Sequence, residues 1–168
     1  MLERLIRWLI VPYAACAREN NSSKTLLLVS SRRCDHNSAI AFSCRKRWRL
    51  LVVPNITAVV GKRHSDNVAV VLYDGDTPEI SWQDDVLALI ETQTPAFLIV
   101  LSSTMNEDNR SELIALGGWD LVRRPVALHA LTNAVDSCMR LVADVDGAAG
   151  DGVTRVRSSR IDKGTDVR

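Results

Sequence analysis

The sequence predicts an α/β fold in which one open sheet of five parallel strands lies between two layers of helices. The first observation is a series of continuous aliphatic runs, which suit strands buried on both faces of a parallel sheet. The second is that mixed, amphipathic segments separate these runs, as crossover helices do. The runs occupy residues 26–29, 50–53, 68–72, 97–101 and, in a shorter form, 121–122.

Apolar residues at helical spacing justify the helices between and after the strands. Val86 and Leu89 share one face of the segment before the fourth run. A helix that contains Leu113 is expected to end at Gly117-Gly118, because glycine commonly follows the last helical turn. The last helix places its apolar face at Leu128, Leu131, Val135, Cys138 and Val142.

Strands and helices that alternate with right-handed crossovers form a doubly wound sheet. Five strands within about 120 residues predict the flavodoxin-like strand order 2-1-3-4-5. The predicted fold class is therefore a flavodoxin-like, three-layer α/β/α sandwich. In such a sheet, ligands meet the carboxyl ends of the strands near the point where the strand order reverses.

The chain of 168 residues has the length of one domain, and three segments differ in composition. Residues 1–24 form an amphipathic N-terminal extension, and residues 25–145 form the α/β domain. Residues 146–168 are rich in glycine and charge, so they are expected to form a disordered tail. The extension is expected to pack on the domain or to pair with a second subunit, with a place on a membrane surface as the alternative.

Composition and charge exclude several classes of protein. The formal net charge is +1, so no nucleic acid partner is expected. No apolar run approaches the roughly 20 residues that a membrane-spanning helix needs. The four cysteines show no CxxC spacing. We therefore expect no zinc site, and reduced thiols in a cytoplasmic protein.

Polar residues stand at the points where the predicted strands end. Because the carboxyl ends of parallel strands share one edge of the sheet, we expect Asp74, Ser102 and Arg124 to converge there. A carboxylate can act as a nucleophile toward phosphorus, and a hydroxyl together with a cation can hold phosphoryl oxygens. Ser30 and Ser31 follow the first run at the same edge.

Residues 25–145 resemble the receiver domain of response regulators in two-component signalling. Three segments carry the resemblance: 72–78 (LYDGDTP), 99–103 (IVLSS) and 116–125 (LGGWDLVRRP). The resemblance implies that Asp74, with Pro78 four residues later, is the phosphoacceptor. It also implies that Ser102 and Arg124 bind the phosphoryl group, and that Arg124-Pro125 replaces a Lys-Pro pair whose peptide bond is usually cis.

The sequence departs from the family at the metal site. The family has an acidic pair after the first strand that holds Mg²⁺, whereas Ser30 and Ser31 stand here. Mg²⁺ prefers carboxylates, so it is retained as a cofactor only if Asp76 or Asp35 replaces the pair, and no other cofactor is expected. Arg124 either holds a phosphoryl group or pairs with the phosphoacceptor and occupies the space of the missing metal.

The sequence therefore predicts a single-domain, cytoplasmic protein of bacterial two-component phosphorelay signalling rather than an enzyme. It either accepts a phosphoryl group on Asp74 from a histidine kinase or phosphotransfer protein, or it is a degenerate receiver. The alternative is a pseudo-receiver that serves as an interaction or dimerisation module without phosphorylation, with a homodimer formed through the last strands and helices. A flavin- or nucleotide-binding protein is disfavoured, because the segment after the first strand has no glycine.

Overall fold

The computed structural model describes residues 24–59, 67–78, 81–93 and 96–150. Strands and α-helices alternate along most of this range, as the aliphatic runs predict. The strands are β1 (Thr25–Val29), β2 (Arg49–Val53), β3 (Val68–Asp74), β4 (Phe97–Ser102) and β5 (Asp120–Arg123). The α-helices are α1 (Arg33–Lys46), α2 (Trp82–Gln93), α3 (Glu107–Ala115) and α4 (Leu128–Gly150).

All strand pairs are parallel, and the strand order is β2-β1-β3-β4-β5. The predicted fold class, including its strand order, is thereby confirmed. The order reverses between β1 and β3, which are neighbours in the sheet. Register aligns Asp74 with Leu101 and Ser102 with Arg123, so the carboxyl ends of β3, β4 and β5 lie side by side.

Alternation of side chains along the strands divides the core into two faces. One face carries Leu27, Val71 and Val100 and packs with Val86 of α2 and Leu113 of α3. The strand residues between these positions point to the opposite face, and they are equally buried: Leu26, Leu28, Val70, Leu72, Ile99 and Leu101. Because both faces of the sheet are covered, the strands read as continuous apolar runs rather than as alternating ones.

Capping residues and a glycine turn define the two ends of α3. Asn106 and Asn109 form a capping box at the start of α3, in which each side chain accepts a hydrogen bond from the other's backbone N–H. After α3 the chain turns at Gly117, whose φ of +99° favours glycine. The predicted stop at Gly117-Gly118 agrees with this turn.

Some features differ from the sequence-based expectations. Between β2 and β3, the described residues contain one short 3-10 helix, Ile56–Ala58, rather than an α-helix. The last helix continues to Gly150, so residues 146–150 of the predicted tail are helical. The chain divides into two compact units, and the boundary between them falls inside this helix, between Val135 and Asp136. The predicted extension up to residue 23 and the tail from residue 151 lie outside the described residues.

The cysteines differ in whether they form a disulfide bond. Cys34 and Cys138 are free, whereas Cys44 is disulfide-bonded. The expectation of reduced thiols is therefore wrong for Cys44, because sequence spacing does not reveal which cysteines approach each other in space. Within the residues that the structure describes, none of the helices combines the length and apolarity that a bilayer crossing requires.

Gly75 allows the turn after β3 to lie directly against β4. A Cβ at this position would lie 2.6 Å from Val100 Cγ1 and 2.9 Å from Met105 Cε.

We expect Gly75→Ala to lower the free energy of unfolding by about 1–3 kcal/mol, because the added methyl group overpacks a filled core. Urea denaturation of Gly75→Ala, Val100→Ala and the double variant measures this effect. The loss caused by Gly75→Ala should shrink in the Val100→Ala background, and simple additivity of the two losses would contradict the packing argument.

Candidate functional site

The structure brings polar residues from four segments to the carboxyl edge of the sheet. Asp74 ends β3, Ser102 ends β4, and Arg124 follows β5. Asp76 lies two residues beyond Asp74, and Asp35 enters from the first turn of α1. The peptide bond between Arg124 and Pro125 is cis, as the resemblance implies.

Arg124 lies at the centre of this group, which we call the carboxylate cluster (Asp35, Asp74 and Asp76). Its Nε donates to Asp35 Oδ1 at 3.0 Å, and its Nη2 donates to Asp35 Oδ2 at 2.5 Å. Nη2 also lies 2.9 Å from Asp74 Oδ1, and Nη1 donates to Asp76 Oδ2 at 2.7 Å. Only 7% of the Arg124 side chain is exposed. One guanidinium therefore bridges three carboxylates from separate parts of the chain.

The carboxylate of Asp74 is 3% exposed, and both of its oxygens have partners. Oδ2 accepts hydrogen bonds from Arg32 Nε and Thr77 Oγ1, each at 2.9 Å. Oδ1 accepts from the Asp76 backbone N–H at 3.1 Å and also contacts Arg124. Asp74 is thus held by two guanidinium groups, one on each oxygen.

The carboxylate of Asp76 takes its partners chiefly from the loop after β4. Its Oδ1 accepts hydrogen bonds from the hydroxyls of Ser102 and, at 3.2 Å, Thr104. The Ser103 backbone N–H lies 3.0 Å from both oxygens, and the Ser103 hydroxyl donates to Oδ2 at 2.6 Å. The side chain of Asp76 is 4% exposed, so these donors replace almost all of its water.

Ser30 supports the cluster from the end of β1. Its hydroxyl donates to Asp35 Oδ2 at 2.7 Å and accepts from the Arg32 backbone N–H at 3.1 Å. Ser31, by contrast, is exposed. Of the two serines that stand where the family has its acidic pair, Ser30 therefore contacts the cluster through Asp35, whereas Ser31 faces solvent.

Hydrogen bonds and ion pairs favour the charged forms of Asp76, Asp35 and Arg124. Burial by itself raises the pKa of Asp76, but hydrogen bonds from Ser102 and Ser103 and the charge of Arg124 outweigh burial and lower that pKa far below its ordinary value of 3.8. Burial also opposes ionisation of Asp35, whose pKa is nonetheless lowered by Arg124 and Ser30. The pKa of Arg124 is raised, because the contacts with Asp35 and Asp74 outweigh its own burial.

The donor set does not fit a divalent cation. The space between the carboxylates of Asp35 and Asp74 is filled by Arg124 Nη2, which lies within 2.9 Å of both. Among the described residues, no three His, Cys, Asp or Glu side chains are arranged to hold a metal ion. The contact of Arg124 Nη2 with Asp74 Oδ1 at 2.9 Å agrees with the pairing that the sequence left open as one of two alternatives for Arg124.

Sequence analysis missed part of this site. Arg32 is not among the predicted site residues, yet it contacts Asp74 and, at 3.9 Å, Asp76. Its position directly before a helix at the carboxyl edge is a signal that points toward the site. The hydroxyls of Ser103 and Thr104 follow Ser102 in sequence, and the unbroken run of hydroxyl residues marks a loop rich in donors.

Comparison with known proteins supports the fold. No protein-family model matches the sequence, and no curated protein matches it. Solved structures of response regulator receiver domains are similar, including a receiver domain protein from Clostridium thermocellum at TM-score 0.62 and 15% identity, covering 73% of this chain and 98% of that one. A two-component response regulator from Clostridium difficile has TM-score 0.61 at 14% identity, with 70% and 96% covered. The chemotaxis protein CheY4 of Vibrio cholerae has TM-score 0.59 at 12% identity, with 68% and 98% covered. The chain therefore has the fold of response regulator receiver domains, as the sequence motifs predict.

Arg124→Met tests how much the cluster depends on its central cation. We expect the free energy of unfolding to fall by about 3–5 kcal/mol, because the substitution leaves three buried carboxylates without their shared partner. Urea denaturation at neutral pH measures the loss. The matched control is Arg123→Met, which changes the neighbouring exposed arginine and should alter stability by no more than about 0.5 kcal/mol. Equal losses in the two variants would contradict the central role of Arg124.

Acid should weaken the fold through the same groups. The folded pKa values of Asp35 and Asp76 lie below the ordinary 3.8, so their stabilisation is complete above about pH 5 and is lost as pH falls through 3.8 toward the folded values. We expect Asp76→Asn to reduce the slope of unfolding free energy against pH below pH 5 by up to about 1.4 kcal/mol per pH unit. Urea titrations between pH 6 and pH 3 measure this slope. The exposed Asp108→Asn serves as control, and an unchanged slope in Asp76→Asn would refute the assignment.

Proposed function

We propose that this protein is a pseudo-receiver: a signalling module with the receiver fold that works through protein interaction, without phosphorylation of Asp74. The fold and the order of the motifs support a receiver-like role. The carboxylate cluster supports the absence of phosphorylation. In this proposal the molecule carries no enzymatic activity and presents one lasting surface to its partners.

The observation that carries the proposal is the bridging of three carboxylates by Arg124. To accept a phosphoryl group, a carboxylate oxygen must reach phosphorus with a free lone pair, and a nearby cation must neutralise the charge that develops. Both oxygens of Asp74 are engaged, and its side chain is 3% exposed. The guanidinium beside it is already shared with Asp35 and Asp76, so little positive charge is left for an incoming phosphoryl group.

The charge of the product also opposes phosphorylation. A phosphoryl group carries about −1.5 to −2 charges, and its bond to Asp74 removes the negative charge of that carboxylate. With the other four groups ionised, the two negative charges of Asp35 and Asp76 are already balanced by the two positive charges of Arg32 and Arg124. The charge of a phosphoryl group on Asp74 would therefore have no counterion at the site. In this proposal Mg²⁺ is not a cofactor, because the guanidinium is the permanent cation.

The receiver fold also supports a proposal about the partners of this protein. A histidine kinase or a phosphotransfer protein would bind as a docking partner rather than as a phosphoryl donor. The homodimer through the last strands and helices stays a prediction, which light scattering of the purified protein would measure. Leu141 and Val142 of α4 are exposed apolar residues on an element of that predicted interface.

Phosphorylation is tested directly by incubation with acetyl phosphate and Mg²⁺, followed by intact mass spectrometry. We expect the wild-type protein to show no phosphate adduct, because its acceptor oxygens and its cation are already engaged. A response regulator that accepts a phosphoryl group, treated in parallel, verifies the reagents. An adduct in the wild-type protein that disappears in Asp74→Ala would overturn the proposed function and would make Asp74 a phosphoacceptor.

A further inference from the structure

Asp76 gathers an unusual set of donors around one carboxylate. The donors are the hydroxyls of Ser102, Ser103 and Thr104, the backbone N–H of Ser103, and Nη1 of Arg124. The Ser102 hydroxyl is fully buried, and the Asp76 side chain is 4% exposed. Five donors on one small anion exceed what is needed to satisfy a buried carboxylate with four lone-pair sites.

These donors have the composition of an oxyanion site. Hydroxyls, a backbone N–H and a guanidinium are the groups that proteins use to hold phosphate, and charge-assisted hydrogen bonds of this kind are among the strong ones. They come from the end of β4, from the β4–α3 loop and from the residue after β5, whereas Asp76 comes from the turn after β3. The donors and the carboxylate that they hold therefore come from different segments of the chain, as the donors of a binding site and its ligand do.

We propose that Asp76 is the internal ligand of an oxyanion site whose chemistry suits inorganic phosphate. This inference rests on the proposed function, because a site that its own carboxylate fills leaves no place for a phosphoryl group. The protein is accordingly held in the arrangement that an anion induces, without any anion being supplied. Removal of the Asp76 side chain opens the site to an external tetrahedral oxyanion.

The site is connected to α3 through the Ser102 hydroxyl. While that hydroxyl donates to Asp76, it accepts hydrogen bonds from the backbone N–H groups of Thr104 and Met105, both at 3.1 Å. Met105 is buried in the core, and Asn106 begins α3 as its N-cap. The anion therefore orders the β4–α3 loop, which determines the position of the start of α3. The surface that the anion affects consists of this loop and α3.

Asp76→Ala tests the inference with inorganic phosphate as the probe. We expect the melting temperature of this variant to rise by about 2–4 °C once phosphate exceeds its Kd several-fold, because phosphate replaces the missing carboxylate. Sodium chloride at matched ionic strength should give no such shift. The wild-type protein should not respond, since its site is filled. Asp76→Ala/Ser102→Ala should lose the response, because a buried donor is gone.

A folded Asp76→Ala that responds equally to phosphate and chloride would overturn the inference, as would a phosphate response retained by the double variant. If Asp76→Ala does not fold, hydrogen exchange decides the question. The Ser103 amide should exchange more slowly in the wild-type protein than in Asp76→Asn, and equal rates would overturn the inference. Failure of these tests is distinguishable from failure of the proposed function, which is measured by phosphorylation of Asp74 in the wild-type protein.

Discussion

One guanidinium holds the carboxyl edge of this molecule together. Arg124 bridges Asp35 of α1, Asp74 of β3 and Asp76 of the following turn. A buried carboxylate is tolerated only when an opposite charge and hydrogen bonds compensate for its lost hydration. The approach of three such groups at the same edge therefore depends on this cation, and the positions of α1, the β3 turn and the end of β5 become mutually dependent.

Under the proposed function, the same contacts give the protein a constant surface rather than a switch. A switch needs two arrangements whose energies are close enough for a ligand to shift their populations. In the receiver fold, a metal and a phosphoryl group supply charges that come and go. In this chain, Arg124 and Asp76 supply a cation and an anion that are covalently part of the protein, so both charges are always present.

Much of the site was predictable because strand ends in a parallel sheet are predictable. The aliphatic runs located the strands, and the residues after them, Asp74, Ser102 and Arg124, lie together as the topology requires. The roles of Asp35 and Asp76 were foreseen only as substitutes for metal ligands, whereas both bind the guanidinium. The state of Cys44 was predicted wrongly, because pairing depends on distances that spacing does not encode.

By itself, the sequence determined the alternation of strands and helices, the doubly wound order and the edge at which chemistry is concentrated, because hydrophobic periodicity and chain connectivity are local or topological properties. Tertiary structure alone decided which charges meet. At this edge of the sheet, a guanidinium or a hydroxyl has several possible hydrogen-bonding partners within reach. Which partner it binds depends on side-chain geometry and burial at the scale of an ångström. Only at that scale does Asp74 become an engaged carboxylate, and Asp76 the anion that occupies the donors of the β4–α3 loop.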